Sequence, residues 1–335
     1  MRLDVMAPAG DLRRVQDLAR DVAGAGLDGI VVTEAGRTAY LSCAAAALVA
    51  DIDVLTGIAV AFPRSPMVTA QTAWELAEVT GGRFRLGLGT QVRAHIERRF
   101  GATYDPPGPR LREYVEAVRA CFRAFRGDEP LSFQGKWWNI SLLPAQWNPG
   151  PVDVPDPPID LAAVNPWMLR MAGEVADGIH VHPLNTTAYL RETVIANATA
   201  AGRRPELIVP AFTAFGDSDA ERHRWREMAR LQIAFYGSTP NYAFIFDQLG
   251  RDGTTSRIRE RQKAGDIAGM ARVIDDDLLA AFVTEGSWSE ASGLLMDRYS
   301  GVADRVVLYF AGMAWAEGGD AWEPWSGVAA EVSAR

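Results

Sequence analysis

Lysine is almost missing from this chain. Of its 34 basic residues only Lys136 and Lys263 are lysines, and the rest are arginines. Arginine is the better bidentate partner for anions, but a bias spread over the whole chain reads first as genomic base composition. Cysteine is scarce too. Cys43 and Cys121 sit in helical text with no CxxC pair and no neighbouring histidine, which excludes a disulfide framework and a zinc site. A basic excess is lacking: 42 acidic residues outnumber the 34 basic ones, giving a net charge of −8. That balance argues against a duplex nucleic-acid partner. No apolar run reaches the roughly 18 residues of a membrane span. Residues 1–6 carry an acid at Asp4 and no apolar core, so no signal peptide is read there, and the expectation is a soluble cytoplasmic protein.

What is present is an ordinary globular balance. The 335 residues are 48% apolar and 23% charged, which excludes disordered, collagen-like and coiled-coil chains. Short apolar runs alternate with longer amphipathic ones. Strands are predicted over Leu3–Ala7, Asp28–Thr33, Val54–Phe62, Arg83–Gly89, Ile159–Val164, Gly178–His182, Leu207–Phe212 and Arg305–Phe310. Helices are predicted over Asp11–Ala25, Tyr40–Ala50, Pro66–Thr80, Pro109–Phe125, Pro166–Val175, Thr186–Ala200 and Asp320–Val332. The proline-rich stretch Gly127–Pro158 reads as a surface excursion with a hairpin through Leu131–Trp138.

Continuous apolar strands between amphipathic helices mean a parallel sheet covered on its faces. Eight such units predict an α/β fold, a (β/α)8 TIM barrel, over a single domain spanning 1–335. The surplus length falls in 216–300, a mostly helical insertion between strands seven and eight. A doubly wound open sheet is the alternative, but no G-x-G-x-x-G follows the first strand.

In such a barrel function belongs at the C-terminal strand ends. Strand two ends at Glu34, which can act as a general base or pair with an arginine. Strand four ends at Thr90 and Gln91, with Arg93 and His95 beyond. Strand six ends at His180 and His182, which face opposite sides of an extended chain, so at most one enters the mouth. That spacing disfavours a metal pair, and no metal is expected. Asn165-Pro166-Trp167-Met168 reads as an N-cap and first helical turn whose amides suit a phosphate. The ten tryptophans, among them Trp137, Trp138, Trp147, Trp315, Trp322 and Trp325, line an aromatic cleft or simply pack under loops.

Several long segments resemble the bacterial luciferase-like monooxygenase superfamily, on its coenzyme F420 branch. They are AVAFPRSPMVTAQTAWELAEVTGGRFRLGLG at Ala59–Gly89, TQVRAHIERRFG at Thr90–Gly101, LRMAGEVADGIHVHP at Leu169–Pro183 and IAFYGSTPNY at Ile233–Tyr242. The resemblance implies the same barrel and insertion, with the deazaflavin ring at the C-terminal mouth. It implies a bulge in strand three, often with a non-prolyl cis peptide, mapping to Ala59, Val60 and Ala61. It puts the coenzyme phosphate near Val164 and Asn165–Met168, with Thr90, Gln91 and Arg93 approaching the ring edge or phosphate.

Two positions depart from the family's dehydrogenases. Glu34-Ala35 stands where they carry an acid followed by histidine, and Gln91 stands where they carry an acid. Asn165 replaces a glycine of the phosphate turn. The implied activity is hydride transfer between the deazaflavin and a small organic substrate, with Glu34, His95, His180 or His182 handling the proton. The alternatives are a two-component monooxygenase using reduced FMN and a non-catalytic coenzyme-binding protein. The resemblance also implies a homodimer or higher homo-oligomer, with neither nucleic acid nor membrane as partner.

Overall fold

The computed structural model describes residues 1–316 and 322–334. The chain folds as a (β/α)8 barrel. Its strands are β1 (Arg2–Pro8), β2 (Gly29–Thr33), β3 (Asp53–Thr56, resumed at Ala59–Val60), β4 (Phe84–Gly89), β5 (Ile159–Ala162), β6 (Gly178–His180), β7 (Glu206–Phe215) and β8 (Arg305–Leu308). They pair in parallel and in ring order. The backbone divides into two compact units, one of Met6–His180 with Asn197–Glu206, the other of Met1–Val5, Val181–Ala196 and Leu207–Arg335.

In the first of these units, β2 pairs with β3 from Gly29↔Asp53 to Val32↔Thr56, β4 with β5 from Leu86↔Ile159 to Leu88↔Leu161, and β5 with β6 from Asp160↔Gly178 to Ala162↔His180. Residues 29–32 of β2 are wholly buried, as a strand covered on both faces requires. Helix Leu12–Gly24 is capped by Asp11, whose carboxylate accepts from the amides of Arg13 and Arg14, and Gly26 takes the left-handed φ of 72° that lets the chain turn away. Arg85 on β4 binds Asp160 on β5 through two hydrogen bonds of 2.9 and 2.7 Å and reaches Glu206 at 2.8 Å. A helix spans Pro107–Arg126, longer than the Pro109–Phe125 predicted, because two prolines suit a first turn and Gly127 at φ 85° ends it.

Two expectations need correction in this unit. The third strand is broken: its ladder stops at Thr56 and resumes at Ala59, with a cis peptide at Gly57–Ile58. The hairpin pairs Phe133–Gln134 with Asn139–Ile140, so it reaches beyond the predicted Leu131–Trp138. Its turn wraps the buried carboxylate of Glu113, which accepts hydrogen bonds from the amides of Lys136, Trp137 and Trp138. Gly135 lets the turn come that close, since a Cβ there would fall 2.1 Å from Glu113 Oε1.

In the other unit, β8 pairs with β1 from Arg2↔Arg305 to Val5↔Leu308 and with β7 from Ile208↔Arg305 to Ala211↔Leu308. A buried ion pair joins Asp4 and Arg305, at 2.6 and 2.7 Å. The 216–300 segment holds helices Asp219–Gly237, Thr254–Lys263, Asp276–Phe282 and Ala291–Tyr299, but also a strand, Val283–Gly286, parallel to Phe212–Phe215 of β7. The predicted helix Thr186–Ala200 runs as a π-helix over Tyr189–Ile195 and an α-turn over Ala196–Ala198. The final helix spans Glu323–Ser333; the predicted start at Asp320 lies outside the described residues. No helix among the described residues is long and apolar enough to cross a membrane.

Candidate active site

At the end of β2, Glu34 is the counter-ion of Arg64. Its Oε1 accepts from Arg64 at 2.5 Å, and its Oε2 accepts from Arg64 at 3.0 Å and from the Val60 amide at 2.7 Å. Arg64 also donates to the Val60 carbonyl at 2.9 Å and lies over the Tyr40 ring. Of the two roles open to Glu34, the geometry shows the arginine partner. The pair grips both backbone groups of Val60 and so fixes the chain after the β3 break.

The cis peptide joins Gly57 and Ile58, directly before the Ala59–Ala61 segment to which the family likeness maps the bulge. Ala59, Val60 and Ala61 are themselves buried and return to the sheet beside β4. The residues at the break were not read from the sequence. Ile58 lies on Gly89, where a Cβ would come within 2.7 Å of its Cδ1. His180 lies on Gly57 and Gly87, with its Nε2 4.0 Å from Asp160 Oδ2. Glycine on β4 is what makes room for both side chains.

After β4 the chain turns sharply at Gln91, which holds φ 56° and accepts its neighbour's amide, from Val92, on its own Oε1 at 3.0 Å. A left-handed non-glycine residue costs on the order of 1 kcal/mol or more, and such positions gather at functional sites. Thr90 donates to the Gln91 carbonyl. Arg93 and His95 then fall on a short helix, Arg93–Arg98, and both are exposed. Arg93 is bound to Glu97 at 3.0 Å and to Asp105, and it covers the Tyr104 ring. Two carboxylates on one guanidinium leave no positive excess there, so the placement of Arg93 against a phosphate is not what the geometry favours.

Helix Pro166–Val175 has the predicted boundaries. Asn165 caps it, its Oδ1 accepting from Met168 N at 3.0 Å. Asn165 is extended (φ −84°), so it does not need the left-handed geometry of the glycine it replaces. Pro166 has no amide, and Leu169 N donates to Asn165 O, which leaves the Trp167 amide as the open donor of this turn among the described residues. Val164 and Met168 are half-buried beside it, and the Trp167 indole packs on Gly108.

A second cluster is wholly within the other unit. His182 follows β6, and its Nδ1 accepts from the Leu184 amide at 3.1 Å. The neutral ring therefore carries its proton on Nε2. The imidazole packs against Tyr236 (centroids 4.7 Å) and Tyr242 (4.2 Å). Tyr236 and Tyr309 share a hydrogen bond of 2.6 Å between hydroxyls, and Tyr309 packs on Phe212 of β7. Neither tyrosine was singled out from the sequence, although Tyr309 directly follows the last barrel strand.

Burial pushes the His182 imidazole down to about 3. The unfolded chain binds a proton on this ring below about pH 6.5, whereas the folded chain does not until about pH 3. Acidification through that window therefore costs stability, and above it the residue contributes no pH dependence. Urea midpoints measured from pH 7 to pH 4 should fall more steeply for the wild type than for His182→Gln; parallel curves would show that His182 is not the group responsible.

The tryptophans divide. Trp74 stacks on Phe122 in the core, and Trp138 packs against Tyr114. Trp225, Trp288 and Trp325 line a cavity of about 260 Å³ with Phe215 and Phe310. Phe215 and Thr213 alternate with Phe212 along β7, so that cavity lies on the opposite face of the strand from Phe212.

The luciferase-like monooxygenase family matches residues 2–305. The chain belongs to this family. A protein of Mycobacterium tuberculosis is 36% identical over 318 residues, 92% of this chain and 93% of the relative. A 5,10-methylenetetrahydromethanopterin reductase of Archaeoglobus fulgidus is 27% identical over 233 residues, 67% and 66% of the two chains. The solved structure of the coenzyme F420-dependent tetrahydromethanopterin reductase from Methanopyrus kandleri superposes with a TM-score of 0.75, covering 99% of this chain and 98% of that one at 18% identity. This last likeness is one of fold. Among luciferase-like proteins, chemistry at the C-terminal mouth is what the barrel rule predicts.

Proposed function

We propose that the chain is an F420-dependent oxidoreductase that transfers a hydride between the deazaflavin coenzyme and a small organic substrate. The observation that carries the reductase part of this reading is 27% identity with the Archaeoglobus methylenetetrahydromethanopterin reductase over two thirds of the chain. The fold likeness to a reductase named for coenzyme F420 supports it.

The residues fit such a coenzyme in two respects. Ile58 and His180, each seated on a glycine at the β3 break and β4, stand beside the strand ends where this reading puts the ring. The Trp167 amide and the positive end of helix Pro166–Val175 suit one phosphate oxygen. When bound, the deazaflavin supplies the hydride chemistry at its C5. The protein holds the ring, excludes water and manages one proton. The Glu34–Arg64 pair acts by holding the backbone at Val60, so its part is positioning. The same reading carries action as a homodimer or higher homo-oligomer.

Fluorescence quenching of F420 on titration with the protein tests the site. Asn165→Ala uncaps the helix and should weaken coenzyme binding about 3- to 10-fold, the range of one lost hydrogen bond or cap. An unchanged dissociation constant in Asn165→Ala would move the phosphate away from this turn.

A further inference from the structure

Arg110 stands in the first turn of helix Pro107–Arg126 and is half-buried. Its Nη1 donates to the Thr103 carbonyl at 2.7 Å. Its Nε is buried with no hydrogen-bond partner, and Nη2 bonds to none of the described residues. The acids nearby are committed elsewhere. Glu113, one turn along the helix, accepts from the amides of Lys136, Trp137 and Trp138, and Asp105 is bound by Arg93. Arg64 and Arg85, half-buried in the same unit, each hold a carboxylate. Arg110 instead lies over two rings, 5.0 Å from the centroid of Phe62 and 5.1 Å from that of Trp138. Those rings are held in turn, Phe62 edge-on to Tyr104 and Trp138 edge-on to Tyr114. A guanidinium fixed in this way and sheltered from water costs free energy until an anion completes it.

The Trp167 indole packs on Gly108, two residues before Arg110 on the same helix. That contact joins the helix of Arg110 to the Asn165 turn, where the Trp167 amide is the open donor for a phosphate. All of these residues lie in the unit of Met6–His180. Coenzyme F420 continues beyond its phosphate into a lactyl and oligoglutamyl chain, so carboxylates follow the phosphate. FMN ends at the phosphate. We propose that Arg110 receives a carboxylate of the coenzyme's glutamyl tail, with Nη2 as the donor, which rests on the F420 reading of the Asn165 turn. A charge-assisted bond of this kind is roughly twice as strong as a neutral one. One open nitrogen suits one carboxylate oxygen, and the aromatic rings keep the guanidinium in place before the ligand arrives. The tail is thus a second point, besides the ring, at which this chain selects F420 over FMN.

The test titrates the full chain by fluorescence quenching with three probes. They are the deazaflavin with a bare ribityl chain, its phospholactyl form, and F420 with two glutamates. The wild type should bind the glutamylated form about 10-fold more tightly than the phospholactyl form, as one hydrogen bond to a charged group gives. High salt should shrink that step, because the contact is ionic and partly exposed. Arg110→Gln should abolish the step and change the affinity for the two shorter probes by less than about 2-fold. The bare-ribityl probe ends short of Arg110, so its affinity reports that the variant is folded. A wild type that shows no step overturns the proposal without any variant. A step that survives in Arg110→Gln overturns it as well. So does a loss shared by all three probes, which means action through the fold, or a loss shared by the phospholactyl and glutamylated forms, which means contact with the phosphate. Each of these outcomes leaves the coenzyme reading intact. A wild type that binds none of the three probes removes both.

Discussion

Arg305→Met is expected to cost about 3–5 kcal/mol of stability, the usual effect of stripping one partner from a buried ion pair. Asp4 and Arg305 are 0% and 1% exposed, and they meet through two short hydrogen bonds. Methionine fills much of the arginine's volume, so the loss reports the stranded carboxylate and not a cavity. The two residues come from the first and last barrel strands, and their pairing ties β1 to β8. The double variant Asp4→Leu with Arg305→Met should therefore recover a large part of the loss, because no charge is left behind. Chemical denaturation of the wild type, Arg305→Met, Asp4→Leu and the double variant checks it. A single substitution costing less than about 1 kcal/mol, the range of exposed pairs, would mean that the charges are solvated after all.

Gly87→Ala is expected to be nearly as damaging, for a steric reason. A Cβ at this position would fall 1.8 Å from the carbonyl oxygen of Thr56 and 2.6 Å from His180 Nε2. The first neighbour is backbone, and it is held in place: Thr56 Oγ1 donates to the Gly87 carbonyl at 2.8 Å and accepts from its amide at 2.9 Å. Strands β3 and β4 would have to part or His180 would have to leave its seat. Overpacking of this kind costs about 3 kcal/mol, a fall in melting temperature of roughly 5 °C for a chain of this size. On the proposed function, the same change should weaken coenzyme binding more than the stability loss alone explains, since it displaces His180. Wild-type melting and wild-type coenzyme affinity in Gly87→Ala would show that the glycine is incidental.

Much of the barrel is legible in the sequence because its signals are local. Asn165-Pro166 announces a cap and first turn, and helix Pro166–Val175 forms with those limits. The apolar run Gly29–Val32 of β2 can only be a buried strand or a helix too short to stand. The break in β3 was signalled only by the family resemblance, which implied a bulge at Ala59–Ala61, and not by the local pattern. VLTGIAVAF is apolar apart from Thr56 and Gly57, so no periodicity marks the point where pairing stops at Thr56. The Val283–Gly286 strand was missed because VTEG is short and polar, and it is β7 running on to Phe215 that gives it a ladder to join.

The site was legible in outline and not in detail. Strand ends pointed to Glu34, the histidines and the Asn165 turn. They did not reveal that Glu34 is committed to Arg64, because that arginine is 30 residues away. Arg93 and His95 were reached by counting from β4, but the left-handed turn at Gln91 delivers them to an exposed helix. The Tyr236–Tyr309 pair spans 73 residues of sequence, and only the position of Tyr309 at a strand end signalled it.

The central claim is the identity of the coenzyme. It is tested most directly by titrating the same preparation with F420 and with FMN, in oxidised and reduced forms, and comparing dissociation constants. The account predicts saturable binding of F420 at least about 10-fold tighter than FMN, a difference of about 1.4 kcal/mol. Tight binding of reduced FMN, oxygen-dependent product and no measurable affinity for F420 would contradict it and make the protein a flavin monooxygenase.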